Sequence, residues 1–197
     1  TPHQSSAASD VYKRQLIKFD NLEFSRIFMA WFIPNLNDQK NIIGLEILAS
    51  ILSVGRNSRL VKILKEDSNL VESVYVDVNA GELGGLFIME ASCESKDIDL
   101  VEKQINKTID EISNCKVLAL DEIKKAINIV KSNYIFNLET STQLSSFFGN
   151  ELLWGRKSSI NNLESHLKYW NDLDNFKEIT EYIRGEKFTL VASPGKC

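Results

Sequence analysis

Hydrophobic residues in this chain recur with two different periods, and the two periods occupy separate blocks. Val74, Val76 and Val78 alternate with polar residues, which is typical of a strand with one buried face. Val101 and Ile105 begin a longer run at the spacing of one helix face. Because strand-like and helix-like blocks do not alternate strictly, the sequence predicts an α+β domain, an antiparallel β-sheet covered on one face by helices.

The predicted elements follow one another without a linker. Strands are predicted at 24–33, 70–78, 86–92 and 188–192, with a turn at 81–85, and helices at 38–54, 58–66, 101–112, 123–138, 140–154, 163–170 and 176–183. Asn37 or Asp38 is expected to cap the first helix, and Gly55 to end it. Asn57 or Ser58 is expected to cap the second. In the helix predicted at 140–154, four residues are expected to face the core: Leu144, Phe147, Phe148 and Leu152.

The composition excludes several classes of protein. With 197 residues, 43% of them hydrophobic and 25% charged, the chain suits a folded domain. A net charge of −4 argues against general nucleic-acid binding, and no apolar run is long enough to span a membrane. Cys93, Cys115 and Cys197 form no CxxC pair, which argues against a cysteine zinc site and is compatible with a reducing cytosol. His3 and His166 are too few for a self-contained histidine metal centre.

Residues 1–15 differ from the rest of the chain. They are polar and lack the periodicity of a helix or a strand. The segment 5–15, SSAASDVYKRQ, equals the translation of a transposase-type sequencing adapter. We therefore expect residues 1–15 to be a disordered, non-native tail and residues 16–197 to be the domain, with natural sequence upstream of Leu16.

The segment from Leu45 to Ala91 contains several short residue patterns in a characteristic order. After the turn at Gly55 come Ser58, Arg59 and Leu60, then Leu64 and Glu66, then Leu70, Ser73 and Val74. This set resembles the C-terminal domain of the bacterial-type insulinase-like zinc peptidases, the M16 family. The resemblance extends over 16–197 and implies an M16 peptidase-like α+β fold, with Gly55, Ser58, Arg59 and Leu60 as motif residues of structural importance.

The resemblance also implies that the peptidase consists of two units with different roles. In this family one unit carries an HxxEH zinc motif, and a second unit closes the chamber and holds the substrate backbone with an arginine and a tyrosine seven residues apart. Lys65 and Glu72 stand in those two positions here. Lys65 lacks the planar fork of arginine, and an ionised Glu72 accepts hydrogen bonds but cannot donate them. No HxxEH occurs in the sequence, so zinc is expected in a missing N-terminal half or in a partner subunit.

Three hypotheses remain at this point. The first is a zinc-free C-terminal unit of an M16 metallopeptidase, which closes the chamber and positions an extended peptide through Lys65 and Glu72. The second is a non-catalytic structural subunit that pairs with a zinc-bearing paralogue, and the third is a stand-alone interaction module. The chain alone is predicted to be inactive, with no catalytic or metal-ligating residue and with neither a nucleic acid nor a membrane as partner. The alternative is that Lys65 lies at a solvent-exposed helix end and Glu72 at a solvent-exposed strand start, and that neither faces the substrate.

Overall fold

A computed structural model describes residues 13–113, 118–153 and 160–195 of the chain, except for the side chain of Asn161. In these residues five strands form one sheet in the order β1–β5–β2–β4–β3. The strands are β1 (Arg14–Phe19), β2 (Ser25–Ile33), β3 (Ser73–Ala80), β4 (Gly85–Cys93) and β5 (Lys187–Pro194). The β2–β4, β2–β5 and β3–β4 pairs are antiparallel, whereas β1 pairs with β5 in parallel.

The helices follow the strands in blocks. They are α1 (Gln39–Ser53), a π-helical segment (Val61–Asp67), a short 3₁₀ segment (Ser95–Asp97), α2 (Ile98–Ser113), α3 (Leu120–Phe136), α4 (Ser141–Leu153), α5 (Ile160–Trp170) and α6 (Leu173–Arg184). The predicted α+β class is therefore confirmed. Within the part of the chain that the structure describes, no helix has both the length and the apolar character needed to cross a bilayer.

The central strands bury one face against the helices. In β2, Ile27, Met29, Trp31 and Ile33 are buried, and Phe32, between Trp31 and Ile33, is 85% exposed. Phe87 of β4 packs edge-on against the Trp31 ring, with 6.3 Å between the ring centroids. The alternation of Val74, Val76 and Val78 therefore identifies the core-facing side of β3 correctly. In β5 the buried residues are Thr189 and Val191, whereas Phe188 is 41% exposed.

Strand β1 departs from the predicted antiparallel sheet. All six of its side chains are exposed, so hydrophobic alternation gives no sign of it. Arg14 and Gln15 belong both to this strand and to the segment 1–15 that the sequence attributes to an adapter. Residues 1–12, for which disorder was predicted, lie outside the described residues, and the origin of 1–15 stays a prediction.

Helix α1 is the central helix of the domain. Asp38 is its N-cap, as predicted, and its carboxylate accepts a hydrogen bond from the Asn41 backbone N–H. Gly44 lies where α5 and α6 press closest, because a Cβ there would stand 2.6 Å from Ile179 and 2.8 Å from Trp170. The Trp170 indole N–H donates to the Lys40 carbonyl at 2.7 Å, which ties α5 to the first turn of α1.

The predicted inward face of the segment 140–154 is wrong in part. Leu144 and Phe147 are half-buried, but Phe148 is 41% and Leu152 is 80% exposed. Glu151 is the buried residue of α4, at 4% exposure. Because the residue that α4 buries is charged, the hydrophobic period of the sequence could not identify its buried face. Trp154 lies outside the described residues.

Candidate substrate-positioning site

A tight turn connects α1 to the π-helical segment and fixes the start of the candidate site. Gly55 has a φ of 89°, which a glycine adopts without steric cost. The Ser58 hydroxyl donates to the Gly55 carbonyl at 2.7 Å, and the Ser58 N–H donates to the same oxygen at 3.0 Å. Gly55 therefore follows the end of α1 as predicted. Ser58 is not the helix cap that the sequence suggested, because its side chain closes the turn instead of accepting a helical N–H.

Arg59 and Leu60 anchor this turn in two different ways. Leu60 is fully buried in the core. Arg59 forms a fork with Glu122 of α3, with 3.1 Å from Nε to Oε1 and 2.7 Å from Nη2 to Oε2. Burial of Glu122 acts to raise its pKa, but the hydrogen bonds from Arg59 and from the Ala119 N–H hold that pKa below its ordinary value. Ser58, Arg59 and Leu60 therefore hold the segment that precedes Lys65 in place.

Lys65 and Glu72 lie together at the junction between the π-helical segment and β3. The Lys65 ammonium donates to the Glu72 backbone carbonyl at 2.5 Å, so the two residues do not pair through their side chains. Between them the chain reverses at Asn69, whose φ is 50°, while the Leu70 N–H donates to the Leu64 carbonyl. Both side chains are exposed, and within the described residues the Glu72 carboxylate has no hydrogen bond or ion pair.

Lys65 and Glu72 expose a donor group and an acceptor group at the same junction. An ammonium group has three N–H donors, and one of those of Lys65 is used by the Glu72 carbonyl. The Glu72 carboxylate has its acceptor positions open to solvent. A peptide bond presents one carbonyl and one N–H, which match this pair chemically.

Glu46 is a functional candidate that the sequence analysis missed. It interrupts the apolar run from Ile42 to Leu52, which was the available signal. Desolvation by burial raises its pKa from 4.5 to about 7, the Tyr134 hydroxyl acts to lower it, and the charge of Asp77 adds to the rise. Tyr134 donates to Glu46 at 3.5 Å.

The other titratable candidates do not form a metal or nucleophile site. In the ranges that the structure describes, no group of three His, Cys, Asp or Glu side chains could hold a metal ion. His166 is half-buried, as predicted, and desolvation together with the Lys40 charge lowers its pKa. Burial raises the pKa of the Cys93 thiol to about 11, which disfavours a reactive thiolate. His3, Cys115 and Cys197 lie outside the described residues. The residues present therefore do not fit a catalytic zinc ion.

Two curated proteins and a solved structure are similar to this chain. The chain is 28% identical over 118 residues to an uncharacterized zinc protease of Streptomyces coelicolor, covering 59% of the chain and 26% of that protein. It is 25% identical over 167 residues to mitochondrial-processing peptidase subunit alpha-2 of Dictyostelium discoideum, covering 78% and 37%. A protease from Helicobacter pylori shares the fold with a TM-score of 0.82 and 16% identity, over 92% of this chain and 44% of that one.

The five-stranded sheet and the helices packed against it define an α+β domain. The family model described as the peptidase M16 inactive domain matches residues 2–130, more than half of the chain. The chain belongs to this family, and the predicted resemblance is confirmed. It spans about a quarter to about a third of the length of these two curated relatives.

Proposed function

We propose that this chain is the C-terminal unit of an M16-type metallopeptidase, and that it closes the proteolytic chamber and positions an extended peptide. The unit supplies no zinc, which comes from an N-terminal half or from a partner subunit. The match to the M16 inactive domain is the observation that carries this proposal. The zinc protease and processing peptidase names of its relatives support a zinc-bearing partner.

Lys65 and Glu72 are the proposed contacts to the peptide. The Lys65 ammonium donates to a substrate carbonyl, and the Glu72 carboxylate accepts from a substrate N–H. The hydrogen bond from the Lys65 ammonium to the Glu72 carbonyl restricts the Lys65 side chain. The turn between Gly55 and Leu60 holds the segment that precedes Lys65. The Lys65 ammonium therefore meets the substrate with part of its conformational freedom already lost.

Kinetics of the assembled peptidase test this role. The chain, joined to a zinc-bearing M16 unit from the same reading frame or from a neighbouring gene, is compared with its Lys65→Ala and Glu72→Gln variants. Hydrogen bonds to charged groups contribute about 1.5–3 kcal/mol, so each change is expected to lower kcat/KM for peptide cleavage by a factor of about 10 to 100. Lys62→Ala, an exposed lysine on the same segment, is the matched control and should leave the kinetics unchanged. Unchanged kinetics in both test variants would remove Lys65 and Glu72 from the site.

The second candidate is a structural subunit that pairs with a zinc-bearing M16 partner and never touches substrate. Its support is the departure from the arginine and tyrosine of the family at positions 65 and 72. In that case the partner should keep its kcat/KM when both residues are replaced together, yet lose activity when this chain is omitted. The gene arrangement distinguishes the two further, because an HxxEH motif upstream in the same reading frame selects the first candidate.

A further inference from the structure

A groove of about 680 Å³ lies between α3 and α5, and none of its lining residues belongs to the candidate substrate-positioning site. Three residues of each helix define it, and on each helix they are spaced so that they share one face: Lys124, Ile127 and Lys131 of α3, and Glu164, Leu167 and Lys168 of α5. Ile127 is half-buried and Leu167 is 3% exposed, whereas Lys124 and Lys168 are exposed. The groove therefore combines an apolar part with charged side chains.

The charge of this groove is opposite to that of the whole chain. The described residues that line it include three lysines and one glutamate, although the chain carries a net charge of −4. Lys131 forms an ion pair with Glu164, with 2.5 Å from Nζ to Oε1. The ammonium groups of Lys124 and Lys168 have no hydrogen bond or ion pair with any residue that the structure describes. The groove thus holds two positive charges for which the described ranges supply no partner.

The remaining residues of the chain offer little negative charge to pair with these lysines. Segments 1–12, 114–117, 154–159 and 196–197 lie outside the described ranges, and their sequences contain one acidic side chain, Asp10, against four basic ones. The complementary charge is therefore expected on another molecule.

The size and the mixed lining of the groove favour a polypeptide over a small anion. A phosphate or a sulfate would leave most of the groove empty and would gain nothing from Ile127, whereas a polypeptide supplies carboxylates and apolar side chains together. The acidic balance of the chain disfavours a nucleic acid. We propose that this groove binds an acidic polypeptide segment of another protein, whose carboxylates contact Lys124 and Lys168 and whose apolar side chain packs on Ile127. This interaction is independent of the proposed peptide contacts of Lys65 and Glu72.

Titration of the purified chain with two labelled model peptides tests the proposal. The peptide EDLEDLED, acetylated and amidated, carries acidic and apolar side chains, and QNLQNLQN has nearly the same shape without the charge. Fluorescence anisotropy should show saturable binding of the acidic peptide and at least roughly tenfold weaker binding of the neutral one, because each carboxylate lost removes an ion pair. Amide shift changes should fall in residues 124–131 and 164–171.

Two double variants separate the groove from the total charge of the chain. Lys124→Gln combined with Lys168→Gln should weaken binding of the acidic peptide about fivefold, since two exposed ion pairs are lost. Lys62→Gln combined with Lys103→Gln removes two exposed lysines outside the groove and should leave the affinity unchanged. Both double variants change the net charge by the same amount, so a difference between them reports on the groove itself.

Several outcomes would overturn the proposal. They are equal affinity for the two peptides, equal effects of the two double variants, and displacement of the peptide by millimolar inorganic phosphate. Tighter binding of a single-stranded DNA oligonucleotide would assign the groove to a nucleic acid instead. A dimer in analytical ultracentrifugation that the groove variant abolishes would place the acidic segment on a second copy of this chain and not on another protein.

Discussion

Two arginine–glutamate pairs in this chain have similar geometry and different surroundings. Arg59 and Glu122 join the turn after α1 to α3, and the Arg59 side chain is only 12% exposed. Arg56 and Glu66 are also linked at 2.8 Å, but the Arg56 side chain is 84% exposed. Solvent screens an exposed pair and leaves its two long side chains free to move, so geometry alone does not set the stability of such a pair.

We expect Arg59→Lys to lower the free energy of unfolding by about 1 kcal/mol, because lysine keeps the charge but cannot make both bonds of the fork to Glu122. Urea denaturation of the purified chain measures this change. The matched variant Arg56→Lys should leave the free energy of unfolding unchanged, because solvent screens this exposed pair. Equal losses in the two variants would contradict a special role for the Arg59 fork.

Glu46 should make the stability of the chain depend on pH. Its pKa is about 7 in the folded chain and near 4.5 when unfolded, so between these values only the folded state holds the proton. Stability is therefore expected to fall as pH rises from 4.5 to 7, by at most about 3 kcal/mol from this group. Glu46→Gln should remove that slope and be more stable than the original chain at pH 8, as measured by urea denaturation at a series of pH values. A slope that persists in the variant would assign the pH dependence to other groups.

At the scale of elements, the packing of α1 against α5 and α6 is closest at Gly44. A methyl group there would overlap the side chains of Ile179 and Trp170. Gly149 of α4, by contrast, has nothing within 4 Å of the position that a Cβ would take. These two helical glycines permit a matched comparison between a crowded site and an open one.

Gly44→Ala is expected to lower the free energy of unfolding by about 1–2 kcal/mol, since overpacking outweighs the better helix propensity of alanine. Gly149→Ala should raise it by about 0.5–1 kcal/mol, because only the propensity changes. Thermal unfolding followed by circular dichroism measures both. A stabilised Gly44→Ala variant would show that α5 and α6 can move away from α1.

The elements that the sequence predicted are those with a clear hydrophobic pattern, either an alternation or a long apolar run. The alternation around Val76 and the buried run around Leu48 gave β3 and α1, because burial imposes a period on the sequence. Strand β1 escaped prediction, since its pairing with β5 uses backbone groups and leaves every side chain exposed. The inward face of α4 was misassigned because the residue it buries, Glu151, is charged.

The candidate site was predicted only as far as the resemblance to the M16 family allows. The resemblance placed Lys65 and Glu72 in the site, but it gave no sign of a bond between the Lys65 ammonium group and a backbone carbonyl. That bond depends on the reversal at Asn69, a backbone conformation that residue types specify weakly. The cavity that Glu46 lines could not be predicted, because its other lining side chains come from β3, α3 and α4, which are distant from α1 in the sequence.

At the scale of the whole molecule, the proposed function makes this chain one unit of a larger peptidase. Sequence and structure offer no HxxEH motif and, among the described residues, no acidic, histidine or cysteine cluster fit for a metal. The chemistry of peptide hydrolysis would then depend on a second unit.

The purified chain should therefore bind less than stoichiometric zinc after equilibrium dialysis and should cleave no peptide when zinc is added. Metal analysis by mass spectrometry and a fluorogenic peptide assay measure the two outcomes. The same preparation mixed with a zinc-bearing M16 unit provides the positive control. One tightly bound zinc ion per chain would contradict this prediction.

The hydrogen bond between Ser53 and Val76 has a consequence for self-association. β3 is the outer strand at one edge of the sheet, and the Val76 N–H on that edge donates to the Ser53 hydroxyl of α1 at 3.1 Å. An incoming strand from another molecule would have to displace Ser53 midway along β3, which divides the free edge into two short stretches. A single serine thus limits the growth of intermolecular sheets from an edge that would otherwise be open to it.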